Sequence, residues 1–128
     1  MKYLLLGLLS LTIFSACSQS AKNLDAKSFK DLITKTPNAI VVDVRTDAEV
    51  VQGVIPKAIQ IDYNSQNFEA QIAKLDKSKP VFVYCAVGGR SSGAASIMQQ
   101  KGFKQVYNLA GGINAWRMAG YPTTTIKR

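Results

Sequence analysis

An α/β fold, with a parallel sheet of about five strands and helices on both faces, is what the alternating patterns of this chain predict. Runs rich in β-formers, Ala39 to Val44, Val81 to Tyr84 and Gln105 to Leu109, are separated by segments whose apolar residues fall at helical spacing. The first two runs are almost wholly apolar, as strands buried on both faces require. Glycines at 53, 102 and 120 close the helical segments.

Residues 1–16 stand apart from this pattern. Met1 and Lys2 precede an apolar run from Tyr3 to Phe14, which closes on Ser15-Ala16-Cys17. The run is shorter than the roughly 20 residues of a membrane-spanning helix and reads as an export signal. The small pair before a cysteine resembles a bacterial lipoprotein signal, although Phe14 stands where leucine is usual. That resemblance implies cleavage before Cys17, acylation of its sulfur and new amino group, a polar tether over 17–21, and a single domain over 22–128. The domain would then be exported and lipid-anchored on the periplasmic or cell-surface side of a bacterial membrane. The alternative is a secretory signal cut elsewhere, with Cys17 free or removed.

Within the domain, Lys22 to Leu24 makes a short edge strand, and Asp25 caps a helix with Phe29, Leu32 and Ile33 on one face. Pro37-Asn38 turns the chain into the strand Ala39 to Val44. Asp43 and Arg45 stand at its carboxyl end, where ligands bind in open α/β sheets. Thr46 caps a short helix from Asp47 to Gln52, which Gly53 stops, and Ile55-Pro56 leads to a strand over Ala58 to Ile61. Phe68, Ile72 and Leu75 carry a third helix. Asp76 to Pro80 then loops into the central strand, Val81 to Tyr84. A helix from about Ser91 to Lys101 ends at Gly102, and Gln105 to Leu109 is the last parallel strand. Ala110-Gly111-Gly112 permits a close backbone approach before a final helix bearing Ile113, Trp116 and Met118. Trp116 is expected to anchor that helix in the core.

The chemistry concentrates after the central strand, in Cys85-Ala86-Val87-Gly88-Gly89-Arg90-Ser91. Gly88 and Gly89 can take positive φ angles, which lets consecutive backbone N–H groups converge on the Cys85 sulfur. The following helix start and the Arg90 guanidinium add positive potential. The expected result is a thiol pKa lowered from about 8.5 toward the range of about 3.5 to 7.5.

Composition narrows the alternatives. The 128 residues include two cysteines and no histidine. A Ser-His-Asp triad, a Cys-His pair and histidine-bearing metal sites are therefore excluded, and no metal or other cofactor is expected. Whatever activates Cys85 must be electrostatic. The net charge of +8 comes from lysines scattered singly along the chain. No basic helix face interleaved with aromatics appears, so nucleic acid is not an expected partner. If Cys17 is acylated, Cys85 is the only thiol left, and a dithiol redox mechanism has no second sulfur.

The Cys85 to Ser91 loop resembles the active-site loop of the rhodanese family of sulfurtransferases. Asp43-Val44-Arg45, Gly53 to Ala58 and Asn108 to Trp116 agree with that family in order and approximate separation, from about Lys22 to the C-terminus. The resemblance implies the rhodanese-like α/β fold and a Cys85 persulfide. This persulfide would be charged by a small sulfur donor (thiosulfate or a persulfide) and discharged to a thiol, cyanide or a protein acceptor. It casts Cys85 and Arg90 as catalytic and Ala86, Val87, Gly88, Gly89 and Ser91 as the substrate-binding loop, with Asp43 and Arg45 as structural support. The family usually has histidine where this chain has Val54, and glycine where it has Lys57. Cysteine phosphatases need one residue more between cysteine and arginine, which makes that chemistry a distant alternative. A non-catalytic, membrane-tethered binding or sulfur-carrier module is the competing reading, and a redox-sensing thiol is a third.

Overall fold

The computed structural model describes residues 21–127. The export segment and Cys17 lie outside the described residues. The elements in order are β1 (Lys22–Leu24), α1 (Ala26–Lys35), β2 (Ile40–Asp43), α2 (Asp47–Val50), β3 (Ile59–Gln60), α3 (Phe68–Ile72), β4 (Val81–Tyr84), α4 (Gly89–Gln100), β5 (Val106–Leu109) and α5 (Gly112–Met118). The five strands form one parallel sheet in the order β1-β5-β4-β2-β3. This is the α/β architecture the patterns predict, with β4 at its centre.

Side chains alternate across the strands, so the inner strands β5, β4 and β2 feed two cores. Val42, Val81, Val83 and Val106 face the α3 and α4 side and pack with Phe68, Ile72, Ala94 and Met98. Val41, Phe82, Tyr84 and Leu109 face the other side and pack with Phe29, Ile113 and Trp116. Trp116 is the expected anchor: its ring meets Phe29 edge-on at 6.5 Å, and its indole N–H donates to the Pro122 carbonyl at 2.9 Å. Asp25 caps α1 by accepting from the Ser28 N–H at 2.8 Å.

Several boundaries differ from the sequence reading. α2 ends at Val50 rather than Gln52, because the chain turns at once to bring Gly53, at φ +119°, back toward the sheet. β3 keeps only two residues, and Leu75 lies beyond α3. α4 begins at Gly89, two residues before Ser91, because Gly88 turns left-handed immediately ahead of it. Met118 is 89% exposed, so α5 is held by Ile113 and Trp116 alone among the apolar residues assigned to it. The C-terminal tail returns to the body through a two-way backbone pair between Val54 and Thr124, both bonds 2.8 Å. Among the described residues no helix is long and apolar enough to cross a membrane.

Candidate active site

β4 delivers Cys85 to the carboxyl end of the sheet, and the chain then folds back around the sulfur. Gly88, at φ +109°, makes the turn, and its N–H donates to Cys85 Sγ at 3.0 Å. The Ser91 hydroxyl donates to the same atom at 3.3 Å. Cys85 is almost wholly buried, which by itself pushes the thiol pKa up. The bonds from the Ser91 hydroxyl and from the N–H groups of Ser91, Gly88 and Val87 favour the thiolate and more than offset burial, so the pKa lies below its ordinary value. Gly89 departs from expectation. It takes the first helical position of α4 rather than a positive φ, so one glycine makes the turn and the other only starts the helix.

The loop is stitched from beneath by α5. The N–H groups of Ile113 and Asn114 donate to the carbonyls of Cys85 and Ala86 at 2.9 and 3.2 Å. Gly112, at φ +59°, allows this approach. A Cβ there would sit 2.5 Å from the Cys85 carbonyl oxygen and overlap the Ala86 carbonyl. The loop's first two carbonyls are thus bound to α5 while its next amides face the sulfur.

Arg90 does not bond to the sulfur. Its Nη1 and Nη2 donate to Glu49 Oε2 and Oε1 at 2.8 and 2.7 Å, a bidentate pair bridging α4 and α2. The Thr46 N–H and hydroxyl also donate to Glu49 Oε2, at 3.0 and 2.9 Å, as the start of α2. Arg90 foremost, with the Thr46 donors, lowers the Glu49 carboxyl to about 2. Glu49 likewise raises Arg90, and the charges of Cys85 and Asp62 add smaller contributions of the same sign. The expectation for Arg90 is therefore corrected in part: its charge is felt at the sulfur, but both its terminal nitrogens are committed to a carboxylate. Sequence reasoning missed Glu49. The signal was present in Thr46-x-x-Glu49, the spacing of a helix capping box.

Asp43 and Arg45 lie on the opposite face of the sheet from the sulfur. Arg45 Nε and Nη2 donate to the two Asp43 oxygens at 3.0 and 2.8 Å, and Nη2 also donates to the Gly53 carbonyl at 2.8 Å. Tyr84, the residue before Cys85, completes the group: its hydroxyl accepts from the Ile55 N–H at 3.0 Å and bonds to Asp43. Burial first, then the Asp43 charge, pushes the Tyr84 pKa up. The arrangement fastens the end of β2 to the 53–55 connection, as support for neighbouring loops would. Val54 is buried and paired to the tail, whereas Lys57 holds φ +69°, the one positive φ outside glycine among the described residues.

A buried cysteine with a lowered pKa, set between the central strand and a helix start of a parallel sheet, defines an α/β protein built for nucleophilic chemistry at sulfur. The chain belongs to the rhodanese-like family: residues 25–119 match the Rhodanese-like domain. It is 35% identical over 99 residues to a sulfurtransferase of Allochromatium vinosum, covering 77% of this chain and 91% of that protein. It is 40% identical over 90 residues to the thiosulfate sulfurtransferase GlpE of Pseudomonas savastanoi pv. phaseolicola, covering 70% and 81%. Its fold overlays a rhodanese-related protein from Thermoplasma volcanium with TM-score 0.71 at 29% identity, covering 80% of this chain and 97% of that one. It also overlays the polysulfide-sulfur transferase homodimer of Wolinella succinogenes with TM-score 0.70 at 27% identity, covering 84% and 81%. The chain is accordingly a sulfurtransferase of the rhodanese type.

Proposed function

We propose that Cys85 is the sulfur carrier and that persulfides serve it better than thiosulfate as donors. The Cys85 thiolate attacks the outer sulfur of a hydropersulfide, R–S–SH; the S–S bond breaks, R–S⁻ leaves, and Cys85–S–SH forms and ionises. With thiosulfate the leaving group is sulfite. An acceptor thiolate or cyanide then takes the outer sulfur as a persulfide or thiocyanate and restores the Cys85 thiolate. Gly88 N–H and the Ser91 hydroxyl, 3.0 and 3.3 Å from Sγ, are the observation that carries this reading. Preorganised donors that favour one anionic sulfur also suit the persulfide anion that replaces it. The rim beside them, Ala86 and the exposed Val87, is apolar. It suits the organic body of a persulfide or a protein acceptor more than a dianion.

The domain acts outside the cytoplasm, tethered to a membrane through an acylated Cys17, in keeping with the charged start and the short apolar run. Multiple acylation makes such an anchor stable, since one chain binds only marginally.

One experiment on the full chain tests both statements. Protein expressed with its N-terminal segment is recovered from membranes, and its intact mass is read before and after exposure to glutathione persulfide. A mature chain starting at a lipid-bearing Cys17 is expected. A gain of one sulfur, about 32 Da, is also expected; it should be reversed by cyanide and absent from Cys85→Ser. A chain cut elsewhere overturns the anchor. No adduct with any donor, from folded protein, overturns sulfur transfer and leaves a binding module.

A further inference from the structure

From the paired contacts at the mouth of the loop we infer that Glu49 is a specificity-determining residue, which cancels the one cation of the active loop and so turns the site away from sulfonate-bearing donors. The inference rests on Cys85 as the sulfur carrier and goes beyond it by naming what selects the donor.

Thiosulfate is a dianion whose transferable sulfur is bonded to a sulfonate. A guanidinium fork suits such a group, because two parallel N–H donors match two of its oxygens. Arg90, beside the Ser91 whose hydroxyl reaches the sulfur, carries that fork, but Glu49 already fills it at 2.8 and 2.7 Å. A sulfonate would have to displace a carboxylate that is itself pinned by the Thr46 N–H and hydroxyl. What remains for an incoming anion is the cradle of amides and the Ser91 hydroxyl, and these surround the Cys85 sulfur. A hydropersulfide reacts in its uncharged R–S–SH form and releases a monoanionic thiolate, which asks nothing of Arg90. Thiosulfate must bring a dianion in and send sulfite out with the fork closed.

The test is steady-state sulfur transfer by the whole protein with two donors, thiosulfate and 2-hydroxyethyl hydropersulfide, in wild type and Glu49→Gln. The amide retains an acceptor for the Thr46 cap and removes the charge. Expected is a KM for thiosulfate lowered by about tenfold, the scale of one charge-assisted hydrogen bond, with the hydropersulfide KM within about twofold. The gain should shrink as salt rises, and Glu49→Gln combined with Arg90→Gln should abolish it. Were Glu49→Gln to misfold, Glu49→Asp, too short to hold both nitrogens, should shift the donor ratio in the same direction. An unchanged donor ratio in a folded variant, or parallel changes for both donors, would overturn the assignment of Glu49. Failure of wild type to accept sulfur from either donor would instead remove the reading of Cys85 beneath it.

Discussion

Two arginine–carboxylate pairs stand at the carboxyl end of the sheet, alike in chemistry and opposite in setting. Arg45–Asp43 and Arg90–Glu49 close at 2.8 and 2.7 Å, both with more than one N–H on the carboxylate. The side chains of the first are 3% and 0% exposed, those of the second 27% and 33%. The first lies beneath the sheet and also holds the Gly53 carbonyl; the second lies at the mouth beside the Cys85 loop. Solvent is the difference that matters. A buried charge left without its partner is strongly penalised, whereas one at the surface is rehydrated. The same pair of side chains therefore acts as a fastener in one place and leaves stability little affected in the other.

Removing one partner from each pair should expose this contrast most clearly. Asp43→Ala leaves the Arg45 guanidinium buried and unpaired and takes a partner from Tyr84; it is expected to cost about 3–5 kcal/mol in urea unfolding. Glu49→Ala is expected to cost about 1 kcal/mol or less. Equal losses would mean that the mouth is as dry as the interior and would break the comparison.

A smaller effect scales the connection that Arg45 fastens. Lys57 holds φ +69° in the turn after Ile55, where glycine would fit without strain. Lys57→Gly should raise stability by about 1 kcal/mol, the cost of a left-handed side chain less the entropy that glycine adds to the unfolded chain. A loss on this substitution would show that the lysine side chain has a compensating contact.

The smallest effect is the acid dependence of the half-buried Arg90–Glu49 pair. The Glu49 carboxyl falls from its ordinary 4.5 to about 2 in the folded protein. Its contribution is complete above about pH 4.5 and disappears as pH falls toward 2, because the unfolded chain takes up the proton first. Urea midpoints of wild type and Glu49→Gln should accordingly converge on acidification through that window. Midpoints that separate instead would contradict the direction of the shift.

Much of this arrangement is legible in the sequence, and the reasons for the rest are physical. Strand and helix periodicities give the order of elements, and the run into Cys85 with its glycines and Ser91 marks the loop. Gly88 and Gly89 look alike in the sequence. Only the geometry of α4 shows that one makes the left-handed turn and the other opens the helix. Arg90 is prominent beside Cys85, but its partner lies 41 residues earlier in the chain, and no local pattern reports a contact at that separation. Tyr84 reads as one more apolar strand residue until its hydroxyl is seen bonded to Asp43 and the Ile55 amide. The Gly111-Gly112 pair is the reverse case. Its promise of a close backbone approach is met by the overlap a Cβ at 112 would create with Ala86.

The parallel run of the five strands has a consequence for orientation. β1 starts at Lys22 on the amino edge of the sheet, whereas Cys85 leaves β4 from the carboxyl edge. By register Lys22 lies level with Tyr107 and Phe82, three residues, about 10 Å, short of Cys85 along the strands. Were the domain held through the segment ahead of Lys22, as proposed, the end of β4 that carries the sulfur would be the end turned away from the holding surface. A donor embedded in such a surface would then have to reach past most of β4 to meet the sulfur, whereas one in free solution would not.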